Sequence, residues 1–403
     1  MSNNGRPPDP IPFLERAVRT PSNETVDAMR SLLVETIESL TETDQSTTDA
    51  DGTTVDVRVD GAGNTIATND AGNGADEGPH VVLNTHLDTV SPHVPFDRAD
   101  GTIHGRGSCD AKGPLAAMLS AFTAVTPKRG RVTLAVTPDE ETLSTGAAAL
   151  TGRLDISGVT PIDGEYYIVG EPTGLDVCTA AKGRFQGTIR LRGESAHAAS
   201  NDGANAIAAA ETALGAIRRF DRDVEPHSQL GRPRLTPTVI EGGESTNQVP
   251  ATCSITVDRR SVPPETAASF EERLSADLRS AVPADVDVEF EFTDRPTPFL
   301  EAFDTDPTHR LVRTIVDAAK RVSGATAGTV RPFEAATEAS YFSPVPTVVF
   351  GPGVVSDEEG PVAHGAREYV HEDDVRDAAE ILTDTLRTLT AADGDTIYGE
   401  SSD

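Results

Sequence analysis

The run Val81-Val82-Leu83-Asn84-Thr85-His86-Leu87-Asp88 constrains the fold of this chain more than any other segment. A short apolar stretch of this kind fits a buried strand. It ends in a histidine and an aspartate two positions apart, and on a strand such positions share a face. A carboxylate beside an imidazole takes one ring N–H and leaves the other nitrogen for a metal. Other apolar runs repeat the design: 131–137 is followed by Asp139, Glu140 and Glu141, 166–170 by Glu171, and 347–350 by Gly351 and then, in a loop, His364. Asp110 sits among Gly105, Gly107 and Gly113, just ahead of a helical segment. Helical segments at 112–125, 145–153, 307–322 and 373–390 separate these strands. The alternation predicts an α/β fold, a doubly wound mixed sheet. Its ligand-type residues fall past the strand ends, where such folds place their sites. Together the His and the acids read as a two-metal hydrolase.

Each motif alone has a plainer reading. His86 and Asp88 would be a structural polar pair, Asp110 an ordinary N-cap, the three acids a solvated loop and His364 a solvated loop histidine. Recurrence after successive apolar strands is what favours the site. Adjacent carboxylates also repel one another unless a cation or a proton intervenes, so one of the pair Glu140–Glu141 can bind metal while its neighbour moves protons. Lys112, beside Asp110, is one of only four lysines, with Lys128, Lys182 and Lys320.

The pattern changes after residue 179. Strands at 185–191, 236–240, 252–257 and 286–292 interleave with helices at 205–220 and 264–280, the strand–helix–strand–strand–helix–strand order of a ferredoxin-like α+β domain. The chain therefore divides into a catalytic domain, 1–178, an inserted domain, 179–295, and the completion of the catalytic domain, 296–403. Ahead of the first core strand come a helical region, 11–40, broken near Pro21, and short strands at 54–59 and 64–68. The first ten residues and the tail 391–403 are expected to be disordered or frayed, and 41–51 to be a loop.

Among 403 residues, 65 are Asp or Glu and 34 are Lys or Arg, a net charge of −31. Such an excess with so little lysine suits molar salt, where a Debye length of about 3 Å screens self-repulsion; an acidic cytosolic protein is the plainer alternative. The charge excludes nucleic acid and anionic membranes as partners, since no basic patch is visible. Three separated cysteines, Cys109, Cys178 and Cys253, fit a reducing compartment. With no apolar core for a signal peptide and no run of about 18 apolar residues, a cytoplasmic location is expected.

These motifs, in this order, resemble the metal-dependent superfamily of acetylornithine deacetylase, succinyl-diaminopimelate desuccinylase and glutamate carboxypeptidase. The resemblance runs from His86-Leu87-Asp88 through Gly105–Gly113, 137–142 and 170–173, then Ser195-Ala196-His197, Gly242-Gly243 to Asn247-Gln248-Val249-Pro250, Asp258-Arg259-Arg260, Gly351-Pro352-Gly353 and His364 to Glu368-Tyr369. It implies that His86, Asp110 and Glu171 hold one divalent metal, and Asp110, Glu141 and His364 a second. Zinc is the expected metal, with cobalt or manganese as alternatives. Glu140 would be the general base and Asp88 would orient His86. His197 would reach the site of a partner subunit in a homodimer and stabilise the oxyanion. Asn247, Arg260 and Gly351 would bind substrate. Glu171 in place of Asp resembles the deacylase and carboxypeptidase members more than the aminopeptidases. Two positions depart from the common pattern: Thr85 stands where many relatives have Gly, and Glu338 where many have Asp.

The resulting expectation is a hydrolase of the amide bond of an N-acyl amino acid. The alternative is a carboxypeptidase or dipeptidase acting on short peptides. A third possibility, a non-catalytic scaffold, is disfavoured because Glu140 and every ligand-type residue are retained. The composition also makes a physical prediction. The melting temperature should rise between 0.1 M and 3 M KCl, as followed by circular dichroism, and an unchanged melting temperature in dilute buffer would rule out salt adaptation.

Overall fold

The computed structural model describes residues 6–42, 55–325 and 327–391. The first five residues, most of the expected loop at 41–51 and the tail beyond 391 lie outside them. The chain forms two compact units. One comprises 1–179, 305–333 and 341–403, and the other 180–304 and 334–340.

The first unit is built on a mixed sheet. Its strands run in the spatial order Asp56–Val59, Thr65–Asp70, Arg131–Thr137, His80–His86, Tyr166–Val169, Thr347–Val349, Val177–Ala181. The four central strands are parallel, and the outer ones join antiparallel. The register is continuous: Val81 pairs with Val132 and Tyr166, and His86 with Thr137. Parallel strands of this kind are buried on both faces, which is why their sequences are continuous apolar runs rather than alternating ones. Val81, Leu83, Leu134, Val136, Ile168 and Val348 are all buried. Each such side chain contributes about 1.5–3 kcal/mol by leaving water.

The helices Ile11–Arg19, Asp27–Glu42, Lys112–Ala124, Arg310–Ser323 and Glu372–Leu389 bury their apolar residues in one core with this sheet. The break expected near Pro21 separates the first two. The helix Lys112–Ala124 buries Leu115, Met118, Leu119 and Phe122, and its N-cap is Ala111, without a side-chain bond. Asp110 is therefore not a helix cap. A small sheet of Asp97–Ala99, Thr102–His104 and Tyr369–His371 was not foreseen, because three-residue strands carry too little periodicity to recognise.

The second unit has the expected ferredoxin-like order. Strands Gly183–Arg192, Arg234–Gly242, Thr252–Ser261 and Asp287–Phe292 form an antiparallel sheet in which the second strand is an edge, followed by the third, the first and the fourth. Strict alternation marks Gly183–Arg192: Phe185, Ile189 and Leu191 are buried, while Arg184, Gln186, Arg190 and Arg192 are exposed. The helices Ala206–Arg219 and Ala267–Ala281 pack on the buried face. Thr266 starts the latter with a capping box to Ser269. Inside this unit Arg259 is fully buried. It is matched by Asp221 and Glu265, each held at 2.7 Å, and flanked by the rings of Phe220 and Phe270. Among the described residues, no helix is long and apolar enough to cross a membrane.

Candidate metal centre

The chain leaves the strand His80–His86 for Arg131–Thr137 on one side, then returns to Tyr166–Val169 on the other. This reversal opens a crevice at the carboxyl ends of the strands, the usual ligand position in an open α/β sheet. His86 ends the first strand, Glu140 and Glu141 follow the second, and Glu171 follows the third. The last central strand, Thr347–Val349, leads into the loops that carry Gly351 and His364.

His86 is buried. Its Nδ1 lies 3.0 Å from the backbone carbonyl of Asp88. A carbonyl can only accept, so Nδ1 carries a proton and Nε2 is the nitrogen left to face a metal. Nε2 is buried without a hydrogen bond, although Asp110 Oδ1 stands 3.3 Å away. A strand-wise reading put the Asp88 carboxylate on this ring. It is indeed 3.3 Å from Nδ1, but the strand stops at His86 and the chain turns, so the closer partner is the carbonyl. The carboxylate instead accepts the backbone N–H groups of Glu140 and Glu141, both at 3.0 Å. Asp88 thus fixes the ring through its main chain and the acidic loop through its side chain.

The three consecutive acids serve different purposes. Asp139 accepts the backbone N–H groups of Thr145 and Gly146, at 2.8 and 2.9 Å, and so caps the short helix Thr145–Leu150. Glu141 lies 3.0 Å from His364 Nε2. Glu140 is half-buried on the same loop.

Two ligand-type trios result, each with its donor atoms within 4.8 Å of one another: His86, Asp110 and Glu171, and Asp110, Glu141 and His364. Asp110 belongs to both, with Oδ1 3.3 Å from His86 Nε2 and Oδ2 3.3 Å from His364 Nε2. Two imidazoles and three carboxylates suit divalent metals that accept nitrogen and oxygen. The buried Nε2 of His86, without a hydrogen bond and facing the Asp110 carboxylate, is the observation that fits them to a cation.

The electrostatics agree. Desolvation alone would lower the His86 pKa, but Asp110 and Asp88 raise it well above its usual value. Hydrogen bonds to Asp110 and Glu141 push His364 up to about 10, against desolvation. Burial would raise the Asp110 pKa, but His364 and His86 hold it well below the usual carboxylate range. The pocket has excess negative charge, which protons on imidazole satisfy when no metal does.

The other expected site residues are placed as follows. His197, Asn247 and Arg260 belong to the second unit. His197 is exposed and pairs with Gln248 across two short strands, while Ala198 N donates to Asn247 O at 2.9 Å, so His197 and Asn247 are neighbours. Arg260 lies on the strand Thr252–Ser261, with Nε donating to Asp258 at 2.8 Å. Gly351 belongs to the first unit and is buried; a Cβ there would meet Glu171 O at 2.6 Å, so only glycine lets that loop lie against the Glu171 backbone. Arg106 and Glu368, which sequence reasoning left without a role, form a fully buried ion pair of 2.7 Å beside Asp110. Their signal was present in sequence, each four positions from a ligand-type residue, but nothing local announced that they meet.

This arrangement defines a class of protein, the metal-dependent hydrolases that act on amide bonds. Comparison with known proteins supplies the family. A family model described as peptidase family M20/M25/M40 matches residues 82–388, and the chain belongs to that family. It is 33% identical over 263 residues to a putative [LysW]-lysine/[LysW]-ornithine hydrolase of Pyrobaculum aerophilum, covering 65% of this chain and 68% of that protein. It is 32% identical over 195 residues to an uncharacterized metallohydrolase of Methanocaldococcus jannaschii, covering 48% and 55% respectively. In fold it is similar to an aminopeptidase of Bacillus cereus, with a TM-score of 0.69 at 21% identity over 94% of this chain and 97% of the other. It is also similar to a dinuclear metal-binding M20 peptidase of Bacillus subtilis, with a TM-score of 0.62 at 15% identity over 94% and 96%.

The raised imidazoles generate a prediction. Metal binds deprotonated histidine, so in the metal-free protein uptake must displace the proton held by His364 at any pH below about 10. Apparent affinity should therefore rise with pH toward that value and fall as pH drops. Calorimetric titration at pH 8 in two buffers of different ionisation enthalpy should show net proton release; buffer-independent heats would contradict it.

Proposed function

We propose that this protein hydrolyses the amide bond of an N-acyl amino acid at a two-metal site. His86, Asp110 and Glu171 hold one metal, and Asp110, Glu141 and His364 hold the other. The observation that carries this reading is the Asp110 carboxylate, whose two oxygens face imidazoles of two different ligand sets.

Two bound divalent ions would polarise the scissile carbonyl and bring the pKa of water toward 7. The remaining steps belong to the chain. Glu140, steadied through its backbone by Asp88, takes a proton from the attacking water and delivers it to the leaving amine. Asp88 holds the His86 ring with Nε2 toward Asp110. In the proposed homodimer, the partner subunit's His197 donates to the developing oxyanion, an interaction typically worth about 3 kcal/mol. Asn247 and Arg260 bind the substrate, and Gly351 contributes to its site through the loop that packs against the Glu171 backbone.

The N-acyl amino acid class is supported by the name of the Pyrobaculum relative, a putative [LysW]-lysine/[LysW]-ornithine hydrolase. The solved relatives share the fold alone, so the carboxypeptidase or dipeptidase reading is decided by assay. We further propose zinc as the native metal, a cytoplasmic and salt-adapted protein, a role in amino-acid biosynthesis, and the domain division 1–178, 179–295 and 296–403. Three buried free cysteines agree with a reducing compartment. A homodimer through the inserted domain is supported by its edge strand, Arg234–Gly242, where Val239 and Ile240 are half exposed.

Two experiments test the proposal. The first assays a panel of N-acetylornithine, N-succinyl-diaminopimelate, other N-acyl amino acids, carrier-linked amino acids and short peptides, in molar KCl with zinc or cobalt. Chelator-sensitive turnover of an acylated amino acid is expected; turnover of peptides alone would replace this reading with the peptidase one. The second is Glu140→Gln, which should lower kcat by about 10²–10⁴-fold and leave metal content unchanged. Loss of metal along with activity would show that Glu140 is a ligand and not the base.

A further inference from the structure

We infer that the buried pair Arg106–Glu368 is a positioning device, which fixes Asp110 and His364 relative to each other and so sets the spacing of the two metal subsites. The inference rests on the ligand assignment proposed above and assigns these two residues a task that neither motif announces.

The geometry closes a ring. One oxygen of Glu368 accepts the backbone N–H groups of Cys109 and Asp110, both at 3.2 Å. Its other oxygen accepts from Arg106 Nη1 at 2.7 Å. Arg106 Nη2 donates to the backbone carbonyl of His364 at 3.3 Å, and Nε to Pro92 O at 3.1 Å. The Glu368 carbonyl in turn accepts Gly105 N–H at 3.1 Å. The segment carrying Asp110 and the loop carrying His364, more than 250 positions apart in sequence, are thus joined through one carboxylate and one guanidinium. Both side chains are almost wholly buried, 0% exposed for Glu368 and 2% for Arg106, so the joint is shielded from salt and water.

His364 gives a second, independent reason. Its φ is +62°, a left-handed conformation that costs a non-glycine residue free energy and persists only where surroundings over-determine it. The Arg106 bond to its carbonyl, with Gly365 N–H on Val362 O at 3.0 Å, supplies that determination. Asp110 has to present one oxygen to each side, and a small tilt of its backbone would move both. A planar guanidinium and a two-oxygen carboxylate are suited to such a joint because each makes several bonds of fixed direction. Neither residue needs to touch substrate.

The test is metal binding by the full chain in molar KCl, with cobalt as the probe, read by calorimetry and by the visible absorption of bound cobalt. Glu368→Gln and Arg106→Lys should each weaken uptake of one metal by about 10–100-fold, the usual effect of losing a ligand's supporting partner, and shift the cobalt spectrum. In turnover, kcat should fall while KM holds. Glu368→Asp keeps the charge and serves as the variant that folds if the others do not; it should bind both metals with an altered spectrum. Arg259→Lys, at a buried pair in the other unit, should lower the melting temperature and leave both metal affinities unchanged. Folded Glu368 and Arg106 variants with unchanged affinities and spectrum would overturn the inference. So would failure of every Glu368 and Arg106 variant to fold, which would make the pair a folding requirement only. A wild-type chain that takes up fewer than two cobalt ions would overturn the ligand assignment, and this inference with it.

Discussion

One carboxylate organises the first unit. Asp110 is placed between two imidazoles that belong to different parts of the chain, and the acids Glu141 and Glu171 complete a trio on either side of it. So much negative charge in a buried crevice is unfavourable unless a cation or protons balance it. The raised histidines are the response of this chain to that imbalance, and a divalent cation relieves it more fully than protons do. The surrounding structure can be understood as the means of holding these groups together despite their repulsion. Asp88 receives the backbone of the acidic loop, Glu368 that of the Asp110 loop, and Gly351 lets a further loop close over the Glu171 backbone.

The sheet determines why these groups can meet at all. Parallel strands with both faces buried leave only their ends for polar chemistry, and the order of the central strands reverses at His80–His86. Residues distant in sequence then converge without any loop having to reach far. The apolar strands supply stability and the loops beyond them supply chemistry, so substitution in the loops can change substrate while the core stays the same. The departures at Thr85 and Glu338 illustrate the difference. Thr85 is buried and donates to Gly170 O at 2.9 Å, which ties the His86 strand to the loop before Glu171. Glu338 is buried as well.

Much of this was legible in sequence, for identifiable reasons. The central strands were found because burial on both faces leaves unbroken apolar runs, and Arg131–Thr137 spans the expected residues. The second unit was found because one exposed face produces alternation, as in Gly183–Arg192. His86, Glu141 and Glu171 were singled out because each ends or follows such a run, and Asp110 because glycines surround it ahead of a helical segment. What stayed hidden has no local pattern. The three-residue strands Asp97–Ala99 and Tyr369–His371 are too short to show a period. The different duties of Asp139, Glu140 and Glu141 depend on which backbone N–H groups each carboxylate meets. Arg106 and Glu368 stood in recognised motifs, but their pairing joins segments far apart in the chain, and adjacency of that kind is a property of the fold.

The same distinction explains why a strongly acidic chain buries three of its cations. Surface ion pairs contribute little and are weakened further by salt. Three of the largest fully buried side chains are nevertheless Arg106, Arg259 and Lys112. Arg259 neutralises two carboxylates between aromatic rings, and Arg106 is joined to Glu368. Lys112 donates to Thr20 O at 2.8 Å, and burial brings its pKa down to about 8, opposed by the charge of Glu368. An interior cation loses its hydration, so it is retained only where its bonds are specific. Two of the three, Arg106 and Lys112, flank Asp110 in sequence. The three cations buried most completely thus stand where the direction of a bond matters more than its strength, and the ligand-type residue Asp110 is among the groups next to them.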